Sequence, residues 1–210
     1  MKRNIAIVSG LLSLALASGC GSAAKKTTPE LSRFEGKKVA LVAVDGESTA
    51  RKVVEVALVN QLVDKGTFIL VNKKDLDQAK AKPNQDPTDW KGVAKAAGAD
   101  LALRAKVLQF DADENEGYSA EKEKDSQLAE EQGDDGETDH LYKVKSLEGK
   151  VRVSLEFTDL ATGDVRSAVA EDEQKVVADA KSSAAHLPPR LRFLEGVANK
   201  AFDRFFQEYQ

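Results

Sequence analysis

Residues 38–79 read KVALVAVDGESTARKVVEVALVNQLVDKGTFILVNKKDLDQA, and this stretch decides the fold class. It begins within an apolar, β-branched run at 37–44 that is typical of a buried strand. Apolar residues then recur at helical spacing over 50–62, and Gly66 follows as a helix stop. A short apolar run at 68–72 predicts a second strand. A strand, an amphipathic helix and a strand in this order predict parallel strands joined by a crossover helix.

The rest of the chain adds further strands and helices to this unit. Its apolar pattern predicts strands at 101–110, 150–159 and 165–176 and helices at 74–81, 89–97 and 191–205. Residues 150–159 alternate between apolar and polar side chains, and Gly163 suits a tight turn into the next strand. The order is therefore β-α-β-α-β, an acidic loop, and then β-β-α. We predict an α/β fold, with a single mixed β-sheet and helices packed on it.

The segment 111–140 is strongly acidic. It contains thirteen acidic residues and two lysines, a net charge of −11, whereas the whole chain carries −4. Because the segment shows no apolar periodicity, it cannot bury enough surface to offset the entropy lost on ordering. We predict an irregular, mobile loop here, which could also attract a basic partner by its charge.

Part of this segment is similar to a calcium-binding loop. Asp111, Asp113 and Asn115 offer oxygen ligands at alternate positions. The EF-hand pattern also requires glycine at the sixth position and glutamate at the twelfth, and Gly117 and Glu121 each miss by one residue, in opposite directions. We therefore predict a solvated loop, or weak divalent binding through charge density, rather than a specific metal site.

The sequence holds no recognisable catalytic constellation. His140 and His186 are far apart in the chain and lack a zinc-ligand spacing. Ser182 and Ser183 lie near His186, but the strand-elbow motif of serine hydrolases is missing, as are the glycine-rich phosphate loops. We predict a protein that is not an enzyme and that uses no cofactor, no small-molecule substrate and no nucleic acid.

The first twenty residues form a targeting pattern. Lys2 and Arg3 precede an uncharged apolar run at 5–16, and small residues then lead to Cys20, the only cysteine in the chain. The run is shorter than the roughly 20 residues that span a bilayer, so it predicts a cleaved secretory signal. The pattern resembles a bacterial lipoprotein signal, although Leu16 stands one position earlier than that family prefers. A plain cleaved signal with an incidental cysteine is the alternative.

The resemblance to lipoproteins implies a location. Residues 1–19 would be removed, and Cys20 would carry diacylglycerol on its thiol and a further acyl chain, such as palmitate, on its new amine. Several acyl chains together make membrane attachment stable. Gly21 follows, and in such lipoproteins a residue other than aspartate there points to the outer membrane. We predict a lipid-anchored protein of the outer membrane that faces the periplasm, with a linker at 20–35 and one domain at 36–210.

Three segments carry a resemblance to one family of envelope proteins. They are the opening stretch at 38–79, the element VAKAAGADLALRAKVLQF at 93–110, and the turn DLATGDVRSA at 159–168. In this order they resemble the periplasmic α/β domain shared by the TolB N-terminal domain, the curli secretion-channel (CsgG) lipoproteins and the penicillin-binding-protein activator LpoB. The resemblance implies protein–protein contact within the cell envelope.

The resemblance leaves three roles to consider for this chain. One branch forms secretion rings whose members insert long hairpins with apolar faces into the bilayer, and the charged segments 111–140 and 150–176 fit this poorly. A second branch activates a peptidoglycan synthase from a long linker, whereas the linker here is short. We therefore predict an adaptor or accessory subunit of a cell-envelope assembly, with an unidentified protein partner. A ring subunit of an export apparatus is the alternative, and a synthase activator comes third.

Overall fold

A computed structural model describes residues 34–124, 137–179 and 186–208. Its strands are β1 (Lys38–Asp45), β2 (Ile69–Leu70), β3 (Leu101–Lys124), β4 (Glu137–Asp159) and β5 (Val165–Asp179). Its helices are α1 (Ser48–Lys65), α2 (Lys73–Lys80), α3 (Trp90–Ala96) and α4 (Arg190–Gln207). The five strands form one sheet in the order β2-β1-β3-β4-β5. The predicted α/β fold, with a single mixed sheet and helices packed on it, is confirmed.

The sheet is parallel on one side and antiparallel on the other. β1 lies between β2 and β3 and is parallel to both, whereas β4 pairs antiparallel with β3 and with β5. The crossover from β1 to β2 runs through α1, as the opening stretch predicts. This helix begins after Glu47, whose carboxylate accepts hydrogen bonds from the backbone N–H groups of Thr49 and Ala50. It ends at Gly66, where φ is 63°.

Helices cover the two faces of the sheet unequally. α1 and α4 cover one face and enclose the main core with it. α2 and α3 cover the other face only over β1, β2 and the first residues of β3. On this second face the side chains of β4 and β5 include Arg152, Glu171 and Glu173, which are exposed. The antiparallel half of the sheet therefore presents a solvated, charged face.

Aromatic rings form the centre of the main core. Phe157 on β4 is fully buried, and its ring centroid lies 6.5 Å from that of Phe34 and 6.1 Å from that of Phe68. Phe206 of α4 meets Phe68 edge-on at 6.3 Å, and Phe202 one turn earlier is also fully buried. These contacts join the first described residue, the entry to β2, strand β4 and helix α4 into one unit.

The predicted mobile loop at 111–140 is wrong for the parts that the structure describes. Residues 111–124 continue β3 and residues 137–140 begin β4, and the two strands stay paired to their ends. The prediction relied on the missing apolar pattern, but ladder hydrogen bonds and cross-strand pairs support a strand even where burial does not. Residues 125–136 lie outside the described residues.

One irregularity interrupts β3. Its register against β4 shifts between Val107 and Gln109, so Leu108 is the extra residue of a β-bulge. The Leu108 side chain is 47% exposed. Ala105 before the bulge and Phe110 after it both contact the main core, so one face of the strand stays apolar across the irregularity.

Asp159 closes the turn between β4 and β5. Its carboxylate accepts hydrogen bonds from the backbone N–H groups of Ala161 at 2.9 Å and Thr162 at 3.2 Å, and Lys37 Nζ donates a third at 2.7 Å. The hydrogen bond from Lys37, followed by those from the turn, lowers the pKa of Asp159. A carboxyl group with a lowered folded pKa stabilises the fold above its unfolded pKa of about 3.9, and this contribution is lost as pH falls through the folded value.

Asp159→Asn is expected to destabilise the domain by about 1–3 kcal/mol at neutral pH, because a buried charged hydrogen-bond acceptor is lost. The difference in free energy of unfolding between the variant and the unaltered chain should shrink as pH falls below about 4. Urea unfolding at several pH values measures it, with Asp164→Asn in the same turn as an exposed control. If the difference in free energy of unfolding stayed constant down to acid pH, the charge of Asp159 would not be what stabilises the turn.

Candidate functional site

The paired ends of β3 and β4 project from the domain as an arm, which consists of residues 113–124 and 137–147. On β3 every residue from Asp113 to Tyr118 is exposed, whereas Ser146 and Leu147 of β4, at the base of the arm, are buried. β5 accompanies β4 only as far as Val144, beyond which the hairpin is two-stranded. Twelve residues of β3 at about 3.4 Å each give the arm a length of about 40 Å.

Opposite charges meet on one face of the arm in a charge ladder of four residues: Glu114, Glu116, Lys143 and Lys145. Lys143 Nζ lies 2.7 Å from a carboxylate oxygen of Glu116. Lys145 Nζ lies 3.1 Å from Glu116 and 3.4 Å from Glu114. The strand register places Glu116 directly opposite Lys145, so the ladder follows from the pairing. Because exposed ion pairs contribute little to stability, the ladder mainly fixes the register and the display of charge.

The charge ladder shifts the acid–base properties of its members. Hydrogen bonds from Lys143 and then from Lys145 lower the pKa of Glu116. Hydrogen bonds to Glu116 and then to Glu114 raise the pKa of Lys145. Glu116 and Lys145 therefore both stay charged across the neutral range. The support that Glu116 gives to the arm is lost only as pH falls through its lowered folded pKa.

Lys145→Glu is expected to loosen the arm without unfolding the domain, because it places a third carboxylate beside Glu114 and Glu116. Backbone amides of residues 113–118 should then exchange with deuterium several-fold faster, while those of β1 keep their protection. Hydrogen exchange followed by mass spectrometry measures this, and Lys52→Glu, an exposed position on α1, is the matched control. Unchanged exchange in the arm would show that the ladder does not support it.

The opposite face of the hairpin is acidic where the arm joins the sheet. Asp113 lies directly across from Glu148, and Asp111 lies across from Lys150. Together with Glu173 of β5 these residues line a shallow groove of about 450 Å³. Lys150 Nζ lies 3.1 Å from a Glu173 carboxylate oxygen, and this hydrogen bond is the main cause of the lowered pKa of Glu173. Because carboxylates outnumber lysine in its lining, the groove favours cationic groups of a partner.

The oxygen ligands considered for calcium lie on an extended strand. Asp111, Asp113 and Asn115 occupy alternate positions of β3 and share one face. A calcium loop wraps its ligands around the ion, whereas a strand spaces alternate side chains about 7 Å apart. Within the described ranges, no group of three or more His, Cys, Asp or Glu side chains is arranged to hold a metal ion.

The predicted lipidation site, Cys20, lies outside the described residues, and so do Ser182 and Ser183. Of the residues considered for catalysis or zinc binding, only His186 has a described side chain, and it is exposed. No helix among the described residues is long and apolar enough to cross a membrane.

The sequence reasoning missed the charge ladder, and the apolar pattern gives little sign of it. The alternation recognised at 150–159 has its apolar residues at odd positions, and Leu147 fits it, but Lys145 and Lys143 occupy earlier odd positions and are polar. The strand therefore continues beyond the point at which its apolar pattern ends.

Comparison with known proteins gives a likeness in structure. No protein-family model matches the chain, and no curated protein matches it. The chain is similar to the LpoB C-terminal domain from Salmonella enterica, at 16% identity and a TM-score of 0.40, over 70% of this chain and 95% of that one. It is similar to the PelC dodecamer from Paraburkholderia phytofirmans at 14% identity and a TM-score of 0.35, over 80% and 86% of the two chains.

A third similar structure is the lipoprotein GNA1162 from Neisseria meningitidis, at 8% identity and a TM-score of 0.38, over 82% of this chain and 99% of that one. LpoB is one of the three proteins that the sequence resemblance names. The resemblance to TolB and to the curli channel stays a prediction. The role of this chain is therefore inferred from its own residues.

Proposed function

We propose that this chain is a lipid-anchored protein-interaction module of the bacterial cell envelope, which contacts its partner through the arm. It is a non-enzymatic adaptor or accessory subunit, held by Cys20 to the periplasmic side of the outer membrane. The observation that carries the proposal is the arm itself, whose β3 side chains are all exposed from Asp113 to Tyr118.

The arm is poorly explained as a device for stability. Beyond Val144 the hairpin has only two strands, and an isolated two-stranded hairpin is marginally stable in water. The exposed ion pairs of the charge ladder add little. From Asp113 to Tyr118 the exposed β3 side chains do not offset their ordering entropy by burial. A projecting, ordered surface with seven acidic residues and four lysines is explained if another molecule binds it, because opposite charge speeds encounter and selects the partner.

The proposed anchor limits where that partner can lie. Fifteen linker residues, 21–35, reach about 50 Å when fully extended, at roughly 3.4 Å each. The arm adds about 40 Å to this reach. The partner is therefore a protein of the outer membrane, or one that extends to it, and it presents a basic surface to the arm.

The runner-up functions differ in what they require of the arm. A ring subunit that inserts its hairpin into the bilayer needs one apolar face on that hairpin, and the described arm instead carries the charge ladder on one face and Asp113 and Asn115 on the other. A synthase activator is compatible with the arm, provided that the synthase approaches the outer membrane. If the recovered partner is a peptidoglycan synthase, the adaptor role proposed here becomes that of a synthase activator.

The experiment is cross-linking in intact bacterial cells, followed by affinity purification and identification of the proteins recovered. Glu114→Gln/Glu116→Gln is compared with Asp64→Asn/Asp77→Asn, which removes the same charge from exposed positions on α1 and α2. A different envelope protein should be recovered with the unaltered chain and with the control pair, and should be reduced with the arm pair. Equal recovery with all three would refute the arm as the contact surface. Cross-linked species that contain only this chain and are larger than a dimer would instead indicate a ring.

A further inference from the structure

The two edges of the sheet are built differently. β2 has two residues, whereas β5 has fifteen and pairs with β4 without a register shift from Val165 to Asp179. Natural proteins protect an exposed edge by shortening it or by placing proline, bulges or several charges on it. β2 is protected by its length, whereas β5 is long, contains no proline or bulge, and carries only charged side chains as protection, with Glu171, Glu173 and Lys175 on its open face. Among the described residues, no strand pairs with the outer side of β5.

The β5 edge also exposes apolar side chains. Val165, Val169 and Val177 are 48%, 37% and 55% exposed. They share the open face of the sheet with Glu171, Glu173 and Lys175, because alternate residues of a strand lie on one face. This face of β5 therefore reads valine, glutamate, glutamate, lysine, valine from Val169 to Val177.

That order is self-complementary in one antiparallel register. We propose that two copies of this chain join through their β5 edges, with Glu173 on the two-fold axis, to form a dimer with a continuous ten-stranded sheet. In this register Val169 of one copy lies opposite Val177 of the second copy, and Glu171 lies opposite Lys175. Both cross-strand contacts occur twice, as two-fold symmetry requires.

The two neighbouring antiparallel registers place less favourable pairs of side chains opposite each other. With the axis at Asp172, Glu171 would face Glu173 of the second copy and Val169 would face Lys175. With the axis at Gln174, Val177 would face Glu171 of the second copy. Like charges or a valine against a charge are unfavourable across strands, so the register centred on Glu173 is preferred.

The helical side of the edge has room for the second copy. A groove of about 310 Å³ runs beside β5 against the C-terminal end of α4, where Ala170 and Ala201 are small and Phe205 forms an apolar wall. In the proposed register Val176 of the second copy lies opposite Ala170, at the mouth of this groove. Arg204 also lines the groove. Its positive charge is balanced by Asp172, whose buried carboxylate lies 2.8 Å from the Arg204 guanidinium.

One contact on the two-fold axis is unfavourable, and this makes the dimer testable by substitution. Glu173 of one copy would lie opposite Glu173 of the second copy. In each copy Lys150 Nζ lies 3.1 Å from a Glu173 carboxylate oxygen, and this offsets only part of the repulsion. Glu173→Gln should therefore tighten the dimer, with a dissociation constant about twofold to fivefold lower. Val169→Asp should weaken dimerisation by at least tenfold, because it removes two valine contacts and places a carboxylate opposite each Val177.

The first test is sedimentation velocity of the full chain carrying Cys20→Ala, over a range of concentrations. A monomer–dimer equilibrium is expected, shifted towards dimer by Glu173→Gln and towards monomer by Val169→Asp, with circular dichroism to check that each variant is folded. A monomer at every concentration, or a dimer that neither substitution alters, would overturn the proposal. The arm pair Glu114→Gln/Glu116→Gln should leave the dimer intact, which separates this test from that of the proposed function.

The second test uses the fact that Cys20 is the only cysteine. In the Cys20→Ala background, Glu173→Cys places one thiol on the axis, and oxidation should link two copies by a disulfide. Ser167→Cys lies on the same strand and is also exposed, but in the proposed register it stands about 40 Å from its counterpart, so it should not cross-link. Equal cross-linking at both positions, or at neither, would overturn the register even if Val169→Asp failed to fold.

Discussion

Phe157→Ala is expected to lower the free energy of unfolding by about 3–5 kcal/mol, the largest loss of stability that a single truncation should cause in this domain. The ring is fully buried and contacts Phe34 and Phe68. Its removal costs the transfer free energy of the ring and leaves a cavity where the ends of the described chain meet. Because whole domains are stable by only about 5–15 kcal/mol, the loss is a large fraction of the total.

Urea unfolding followed by fluorescence measures this loss, since Trp90 is the only tryptophan and reports on the domain. Val56→Ala is the control, because Val56 lies on α1 with 60% of its surface exposed and should change stability by less than about 0.5 kcal/mol. If Phe157→Ala cost less than about 1 kcal/mol, the aromatic cluster would not be the centre of the core.

Cys20→Ala is expected to move the protein from the membrane fraction to the soluble periplasmic fraction. The apolar run at 5–16 would still direct export, but no thiol would remain for diacylglycerol, and attachment through acyl chains would be lost. The change should be nearly complete, because several buried acyl chains hold a lipoprotein where one chain alone binds reversibly. Cell fractionation and immunoblotting measure it.

Ser22→Ala is the matched control for this change, since it lies two residues away and leaves the thiol in place. It should remain with the membrane. If the Cys20→Ala protein also stayed there after a high-salt wash, the chain would be held by contacts other than a lipid. If both proteins were soluble, the plain cleaved signal would be the correct interpretation.

The sequence predicted the part of the fold that depends on burial. The run at 37–44 and the helical spacing at 50–62 mark elements whose apolar side chains pack on the main core, and β1 and α1 lie there. The strict alternation at 150–159 likewise marks a strand with one buried face. In each case the pattern and the burial have the same physical cause, so the pattern suffices.

The arm could not be predicted in this way, because its strands are held by pairing rather than by burial. Glu114 and Glu116 are signs of disorder when read along the chain, and they become half of a charge ladder only when Lys143 and Lys145 lie across from them. That relation depends on register, which local composition does not contain. The open edge of β5 is equally invisible, since it depends on the order of strands in the sheet.

Leu108 is the position at which the numbering of the core face changes. Up to this residue the odd-numbered positions of β3, such as Ala105, contact the main core, and after it the even-numbered ones, such as Phe110, do so. If Leu108 were deleted, Val107 and Gln109 would become neighbours, and Glu116 would still lie directly across from Lys145. The bulge would be lost and the salt bridges of the charge ladder would remain. This strand can therefore lose one residue at the bulge without turning its charges to the other side of the sheet.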